Sequence, residues 1–447
     1  AVENAELRKM GRHWVESTTG YFVRLPEDDP AYEAKWVVAC QAAGIPVEPV
    51  DLAKAHRLEP HFSERAAAVY EVPDAEIDGF RLCRQNVLSA KRYGGRMMNY
   101  TEVTGIEQQN GQVTAVKIRN TLTGETGSIE CDIVVNAAGS WVGQVAGLAG
   151  IKINVIPDRG TLIAFNHRFT DRIMNRLRPP ANADIFVPHG SVTLLGTSSS
   201  PTERPDDFTP ATEEVLALIE EGKQLFDELP QYRLLRAYTG TRPLYCADPT
   251  AATREISRNF VILDHAKEGL DGLISIVGGK LTTYRLMAEK ISDAICAKLS
   301  LQAPCRTAEE ALVADITPEL MQQAKQFFPA AGVELAASRL GPDLAATVQR
   351  IQANPAKKEL VCECELVTLA EVETVAHDDT TFTMSDIRRR TRMGMGTCQG
   401  TYCGLRGLGM MVDNDLARGM TTENLLREFL ATRWNGIRPI LCGHKMR

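Results

Sequence analysis

The chain is 447 residues long, which is enough for two or three domains. Apolar residues make up 44% of it, as in folded globular proteins, and this excludes extended disorder. Acidic and basic residues are interspersed at a net charge of −7, so no basic stripe indicates a nucleic-acid partner. No apolar run approaches the roughly 18–20 residues of a membrane span, and peripheral attachment to a membrane stays open.

The predicted elements begin with a strand at 20–26 and a helix at 30–44, and a second helix follows at 78–95. Three β-rich runs come next, with turn residues at Asn110-Gly111 and Thr123-Gly124. They predict a small meander that returns to a main sheet. The opening residues lack a signal-peptide pattern and read like the middle of a helix, so we expect a fragment.

Further along, the pattern at 186–197 predicts a hairpin with its turn near His189-Gly190. Two short buried strands follow a helix at 212–226, and another helix begins after Lys280. Beyond these the composition changes. The predicted organisation is a core at 1–298, a helical connector at 299–358, a compact cysteine-bearing domain at 359–412 and a helical tail at 413–447.

Two β-runs end in small residues that let a bulky ligand approach the backbone. The first is "VVNAAGSW", with Ala138 and Gly139, for which a tightly packed strand-to-helix turn stays the alternative. The second is "VGGKLTTYRLMAEK", from Val277 to Lys290. It is neither a Walker A loop, because Ile274 stands where glycine is needed, nor a G-x-G-x-x-G fingerprint. A Gly-Gly turn before a helix start still favours a partner with partial negative charge.

These stretches, with "GTRPL" at 240–244 and "LLGTSS", resemble FAD-dependent glycerol-3-phosphate dehydrogenases. Within that family, the sequence more closely resembles the catalytic A subunits of the anaerobic, quinone-linked enzymes, and the stretches "VPDAEIDGFRL" and "ILDHAKEGLDG" share this resemblance. It implies an α/β (α+β) fold with an FAD/NAD(P)-binding core like that of glutathione reductase and D-amino-acid oxidase. The family's opening strand–GxGxxG–helix segment is not in the sequence, so we expect a truncated core that does not hold FAD tightly on its own.

The resemblance implies oxidation of sn-glycerol 3-phosphate to dihydroxyacetone phosphate, with a hydride passing to FAD. It implies Arg242, Arg258 and Lys280 as partners of the substrate phosphate, and cationic side chains suit that role. The catalytic base is left open between His265 and His189. The implied flavin contacts are Val103, Ala138, Gly139, Gly240, Gly278, Gly279 and Thr282.

Of eleven cysteines, four form two close pairs, Cys362-x-Cys364 and Cys398-x4-Cys403. Four thiolates can bind zinc or an iron–sulfur cluster, although C-x-C is tight for zinc. With "MGMGTCQGTYCG", the layout resembles the small helical BFD-like [2Fe-2S] domain of the same enzymes. Backbone N–H groups of the Met-Gly-Met-Gly loop would approach the cluster, and nearby arginines would balance its charge, namely Arg388, Arg389, Arg390 and Arg392. Zinc and four independent thiols stay as alternatives.

The odd cysteine count without a secretory signal favours a reducing cytosol. By resemblance, electrons would pass through the cluster and partner subunits to membrane quinone, with the chain peripheral on the inner face of the cell membrane. The tail helix, with Leu425, Leu426, Phe429 and Trp434, is either a docking face or ordinary core. Two other functions remain: a related FAD-dependent amine or amino-acid oxidoreductase, and a non-catalytic iron–sulfur electron-transfer chain.

Overall fold

The computed structural model describes residues 15–245, 259–414, 416 and 420–441. No helix within these ranges is long and apolar enough to cross a membrane. The strands are β1 (Val15–Glu16), β2 (Gly20–Arg24), β3 (Glu48–Pro49), β4 (Ala68–Val72), β5 (Glu76–Ile77), β6 (Thr101–Gln109), β7 (Gln112–Asn120), β8 (Thr126–Glu130), β9 (Val134–Asn136), β10 (Val155–Phe165), β11 (Ile173–Arg176), β12 (Ile185–His189), β13 (Val192–Gly196), β14 (Ser200–Pro201), β15 (Leu234–Tyr245), β16 (Phe260–Asp264), β17 (Leu273–Gly278), β18 (Leu360–Cys362) and β19 (Val367–Thr368). The helices are α1 (Pro30–Ala42), α2 (Leu52–Leu58), α3 (Gly79–Arg92), α4 (Val142–Gly147), α5 (Thr212–Gly222), α6 (Tyr284–Lys298), α7 (Pro318–Ala324), α8 (Val333–Leu340), α9 (Leu344–Ala353), α10 (Leu369–Ala376), α11 (Met384–Thr391), α12 (Cys403–Asp413) and α13 (Thr422–Ile437).

The largest sheet has nine strands and is built around β10, the long strand Val155–Phe165. β15 runs antiparallel to β10 along its whole length, while β14 and then β13 pair with its other edge. The sheet continues through β12, β11, β2, β4 and β3. β11 and β2 are parallel, whereas the other pairs in this sheet are antiparallel.

The two faces of the large sheet have different surroundings, because side chains alternate along each strand. Ile163, Leu195 and Ala237 point to one face and share a buried core with Val215 and Leu218 of α5. The opposite face of β15 carries Arg236, Tyr238, Gly240 and Arg242, which are half-buried or exposed. We call this second face the site face.

A separate three-stranded sheet has the order β16-β17-β9, in which β17 pairs antiparallel with β16 and parallel with β9. β9 is an edge strand of this sheet, and 39% of the Val135 side chain is exposed. The predicted meander is confirmed as β6-β7-β8, and Asn110 and Gly111 form its first turn with φ of 53° and 75°. Positive φ at both central residues is the signature of a type I′ turn, which Asn-Gly favours.

The C-terminal part forms one hydrophobic core, which corrects the predicted domain boundaries. Buried residues from Ala324 to Phe429 pack together, so the predicted connector, cysteine domain and tail share this core. The sequence pattern suggested separate units because prolines punctuate the helices, but α7 to α9 supply one wall of the core. Residues 299–317 contain no helix. We call the described residues of 318–437 the cysteine module.

The tail helix α13 is mainly a packing element. Leu425 and Phe429 are 0% and 4% exposed and belong to the core of the cysteine module, whereas Trp434 is 56% exposed. Just beyond the helix, Ile440 is buried in the core beneath the large sheet. The docking interpretation therefore does not hold for Leu425 and Phe429, and the tail joins the two cores instead.

Candidate functional site

The two small-residue turns lie at the same edge of a sheet. β9 leads into Ala138-Gly139 and β17 leads into Gly278-Gly279, and the two strands are parallel and in register. Parallel strands bring their carboxyl ends together, which is where α/β folds hold ligands. The Ser140 hydroxyl donates a 2.9 Å hydrogen bond to a carbonyl of β15 one residue after Gly240. The structure therefore brings Ala138, Gly139, Gly278 and Gly279 together with Gly240. We call the space that these residues border the glycine-lined recess.

The glycines of this recess differ in what they require. A Cβ at Gly139 or Gly240 would have no atom within 4 Å, so open space adjoins both, and this fits a planar ring such as the isoalloxazine of FAD. Gly278 and Gly279 have φ of 83° and 82°, which side chains rarely adopt. A Cβ there would also lie 2.4 Å from the Asn259 carbonyl oxygen or 2.3 Å from a methionine sulfur. Local packing thus explains these two glycines without a cofactor.

The start of α6 offers an anion-binding end beside this turn. The Lys280 N–H donates to Thr283 Oγ1 at 3.1 Å, which fixes a single 3₁₀ turn before the helix. Thr282 in this turn is exposed, and N–H groups of a first turn have no partner inside the helix. The Lys280 side chain is exposed, and within the described ranges it makes no hydrogen bond or ion pair.

Arg242 projects from the site face, and three partners fix it in place. Its Nη1 donates to Asp158 Oδ2 at 2.5 Å, and its Nη2 donates to Thr197 Oγ1 at 2.7 Å and to the Ser198 carbonyl at 3.2 Å. Asp158 is 1% exposed, whereas the Arg242 side chain is 27% exposed. The guanidinium lies over Gly160, which pairs with Gly240 across the ladder. One edge of a fixed, partly neutralised cation thus remains reachable from the recess.

Arg236 and Tyr238 share the site face with Arg242, although neither was predicted from the sequence. Burial raises the pKa of Tyr238 to about 12 and lowers the pKa of Arg236, although 38% of the Tyr238 side chain is reachable by solvent. Both side chains are therefore crowded by neighbouring protein atoms, although solvent still reaches Tyr238. The alternation of polar residues in "RAYTGTR", with period two, could have identified them.

Neither candidate histidine is placed to accept a substrate proton. His265 is 1% exposed, with Nε2 at 2.9 Å from Ser275 Oγ and Nδ1 bonded to Glu268. His189 lies at the end of β12 with Nδ1 bonded to Glu76 and Nε2 at 2.6 Å from Arg392 Nη1. Because both ring nitrogens of each are engaged, these histidines act as structural links. His265 is therefore not our proposed catalytic base.

One predicted flavin contact lies in a different sheet from the glycine turns. Val103 lies on β6 of the meander, paired with Ile118 and 36% exposed. Arg258 lies outside the described residues.

The four clustered cysteines converge in crossed pairs. Cys362 lies beside Cys403, whose thiol lowers the pKa of Cys362. Cys364 lies beside Cys398, and burial raises the pKa of Cys364. Each close pair in the sequence therefore contributes one residue to each close pair in space. Cys362 and Cys403 are buried, whereas Cys364 is exposed.

Backbone N–H groups lie near two of these sulfur atoms. Those of Gly394 and Glu365 act to lower the pKa of Cys362, and that of Cys398 acts to lower the pKa of Cys364. A Cβ at Gly396 would stand 2.6 Å from the Cβ of Cys364, so a glycine is needed for this approach. N–H donors stabilise negative charge on sulfur.

The predicted arginine belt is mostly engaged elsewhere. Arg392 pairs with Glu365 at 2.9 Å, Arg390 with Asp378 at 3.0 Å, and Arg389 is 49% exposed on α11. Arg388 differs, because it is 3% exposed, its Nε has no hydrogen-bond partner among the described residues, and it lies close enough to Cys403 to interact with that thiol electrostatically. Burial and the nearby Arg236 lower its pKa to about 10. Only Arg388 of the four thus fits the expected charge-balancing role.

Within the described ranges, no group of three or more His, Cys, Asp or Glu side chains is arranged around one metal ion. A structural zinc would need four such donors around a single point. Four cysteines that approach one another in two pairs leave both zinc and an iron–sulfur cluster open as the bound group.

An apolar surface borders the exposed side of these cysteines. Tyr402 and Leu405 are 65% and 60% exposed and lie three residues apart, on one face of α12. The neighbouring Arg406 pairs with Glu363, which stands between Cys362 and Cys364. The exposed aromatic and aliphatic groups therefore adjoin the C-x-C turn.

Comparison with known proteins adds a family assignment. Residues 3–285 match the model of the FAD dependent oxidoreductase family. The chain is 40% identical to the A subunit of the anaerobic glycerol-3-phosphate dehydrogenase of Escherichia coli K12, over all of this chain and 82% of that protein. It is 37% identical to the A1 subunit of the same enzyme from Haloferax volcanii, over 99% of this chain and 77% of that protein.

Solved structures share the fold. The glycerol-3-phosphate dehydrogenase of Bacillus halodurans, complexed with FAD, matches with a TM-score of 0.74 and 18% identity, over 99% of this chain and 86% of that one. The L-α-glycerophosphate oxidase of Mycoplasma pneumoniae, with FAD bound, matches with a TM-score of 0.54 and 16% identity, over 70% of this chain and 83% of that one. At such identities the likeness supports the fold, and it confirms the predicted class.

Proposed function

The chain belongs to the FAD-dependent oxidoreductases, and within them to the A subunits of the anaerobic glycerol-3-phosphate dehydrogenases, so we propose that it oxidises sn-glycerol 3-phosphate to dihydroxyacetone phosphate. The observation that carries this proposal is one recess. Gly139 and Gly240 leave open space there, and Arg242 projects from the same strand as Gly240. A ring and an anionic substrate can lie side by side in such a recess.

In this proposal the protein binds and orients the substrate. Bound FAD supplies the hydride acceptor. Arg242 presents its remaining N–H groups to the phosphate from a position fixed by Asp158, which reduces the entropy lost on binding. Lys280 adds a second positive charge beside a helix start. Arg258 stays a third proposed phosphate partner on the family match alone.

The test is reduction of an artificial dye by the purified, flavin-loaded protein. We expect sn-glycerol 3-phosphate to drive reduction, and glycerol, glycine and proline to fail, because only the first offers a phosphate to Arg242 and Lys280. Lys280→Ala should raise KM, since it removes one of the positive charges that would hold the substrate phosphate. An unchanged KM and kcat would remove Lys280 from the site. Turnover of an amine or amino acid would favour the related oxidoreductase class instead.

We further propose that Cys362, Cys364, Cys398 and Cys403 hold a [2Fe-2S] cluster, a carrier of single electrons. The crossed thiol pairs, the N–H donors around them and the unpartnered Nε of Arg388 support this, because all three suit an anionic, sulfur-rich group. Anaerobically purified protein should contain about two irons and two acid-labile sulfides per chain. Cys398→Ser should lower both. One zinc per chain and no labile sulfide would contradict the proposal.

The exposed surface of Tyr402 and Leu405 is our proposed contact for a partner subunit that takes up electrons. It adjoins the exposed Cys364, and a partner there would come close to the proposed cluster. The relatives are named as subunits, which supports the existence of such a partner. We place the chain on the inner face of the cell membrane, held through that partner, with quinone as the distant acceptor.

A further inference from the structure

A cleft of about 330 Å³ lies between α3 and the cysteine module, apart from the glycine-lined recess. We call it the arginine cleft after its five arginines: Arg81, Arg84, Arg339, Arg389 and Arg390. The first two come from α3, and the other three come from α8 and α11. Helix α3 and the cysteine module therefore both contribute to the walls of the cleft. A volume of this size suits a small molecule.

The arginines of the cleft differ in how closely carboxylates engage them. Among the described residues that line the cleft, Asp386 is the only acidic one. Acidic residues behind the wall engage four of the arginines: Asp78 pairs with Arg81 at 3.3 Å, Glu371 with Arg339 at 2.7 Å, Asp343 and Asp378 with Arg84 at 3.0 and 2.9 Å, and Asp378 also with Arg390 at 3.0 Å. Burial and the nearby Arg84 lower the pKa of Arg390 in spite of Asp378.

Arg389 is the cation with donors to spare. Its nearest carboxylate oxygen, on Asp386, is 3.8 Å away, and the other oxygen of Asp386 accepts a 2.8 Å hydrogen bond from Tyr100. The Arg389 side chain is 49% exposed, with its guanidinium 6.0 Å from the centre of the Phe80 ring. A planar guanidinium with uncommitted N–H groups matches phosphate oxygens.

Gln85 supplies an independent observation on the opposite wall. The residue is 4% exposed, lines the cleft, and its Oε1 is buried without a hydrogen-bond partner among the described residues. Buried polar atoms are nearly always paired, and a native exception calls for an unseen partner. A carbonyl oxygen can only accept, so the partner must be a donor such as a hydroxyl group.

We propose that the arginine cleft binds a small phosphomonoester that also carries a free hydroxyl group. The phosphate would contact Arg389, and the hydroxyl group would donate to Gln85 Oε1. The ligand would bridge α3 and the cysteine module, since its two contacts lie on different parts of the protein. This site is separate from the proposed substrate site at Arg242 and Lys280, and it does not require that proposal to hold.

The test uses Cys83, an exposed thiol that lines the cleft, as a local reporter. Cys305 is exposed and does not line the cleft, so it is the matched control. The full chain, loaded with flavin, is alkylated with N-ethylmaleimide, and each cysteine is followed by peptide mass spectrometry. With sn-glycerol 3-phosphate at about ten times its dissociation constant, Cys83 should react about tenfold more slowly, because only about a tenth of the sites stay free. The rate at Cys305 should not change.

Substitutions at Arg389 and Gln85 test the phosphate contact and the hydroxyl contact separately. Arg389→Gln should abolish the protection, and Arg389→Lys should restore part of it if the first variant folds poorly. Gln85→Leu should weaken protection by sn-glycerol 3-phosphate but not by inorganic phosphate, which carries no alcohol. An unchanged Cys83 rate, protection by glycerol alone, or equal protection in Arg389→Gln would each overturn the proposal. Because the readout is at Cys83, loss of dye reduction would leave it unaffected.

Discussion

A single methyl group at Gly160 should disable the substrate contact without removing any charged residue. A Cβ there would lie 2.3 Å from Arg242 Nη2, whereas ordinary contact begins at 3.4 Å, so the guanidinium must retreat by about 1 Å. The 2.5 Å bond to Asp158 would then reach about 3.5 Å, beyond hydrogen-bond range. Asp158 keeps its 2.8 Å bond from Ser199, so the fold should survive. We expect kcat/KM for the phosphate substrate to fall about 10- to 100-fold.

The assay for Gly160→Ala is steady-state dye reduction, with flavin content and thermal unfolding measured on the same sample. Gly127→Ala on β8 is the control, because its Cβ would meet only a 3.6 Å contact with Ile118. Gly240→Ala tests the other half of the recess, since it meets no protein atom and should lower flavin content rather than stability. A kcat/KM within twofold of the parent, in a folded and flavin-loaded Gly160→Ala, would refute the role given to Arg242.

Two further predictions concern stability. Ser275→Ala leaves the buried Nε2 of His265 without its hydrogen-bond partner. The free energy of unfolding, measured in urea, should therefore fall by about 1–3 kcal/mol. A value equal to that of the parent would show that water replaces the lost hydroxyl group. Asp378 is partly buried, but hydrogen bonds from Thr380 and the charges of Arg84 and Arg390 lower its pKa below the usual 3.8. Its stabilisation is therefore complete above that pH and is lost as pH falls through the lower folded-state pKa, so Asp378→Asn should flatten the acid side of the urea stability profile.

Local sequence patterns predicted helices, strands and turns well where neighbouring residues in the sequence determine them. The strand at Gly20–Arg24, the helix that begins at Pro30 and the Asn110-Gly111 hairpin were expected from apolar spacing and turn residues, and all three are present. The gathering of Gly139, Gly240 and Gly278-Gly279 was expected from a family resemblance. The structure adds the physical link, which is the parallel pairing of β9 with β17.

Long-range pairing explains what the sequence could not predict. His265 stands in a plausible catalytic context, but its burial depends on Ser275 and on the strand that carries it. The connection of His189 to Arg392 spans 203 residues, so no spacing rule could reveal it. The same limit applies to Arg242, since only the register of β10 against β15 places Asp158 beside it.

The junction between the two cores bears on how electrons could leave the recess. Phe429 packs so closely on the residues around Cys403 that a Cβ at Gly404 or Gly400 would lie 2.3 or 2.8 Å from the Phe429 ring. Ile440, eleven positions further on, is fixed in the core beneath the large sheet. The cysteine module is therefore held by packing on both sides rather than tethered by a flexible linker. In the proposed function, this packing would keep the glycine-lined recess and the cysteines at one separation, so we expect electron transfer to depend on the proposed partner contact at Tyr402 and Leu405 rather than on motion between the two cores.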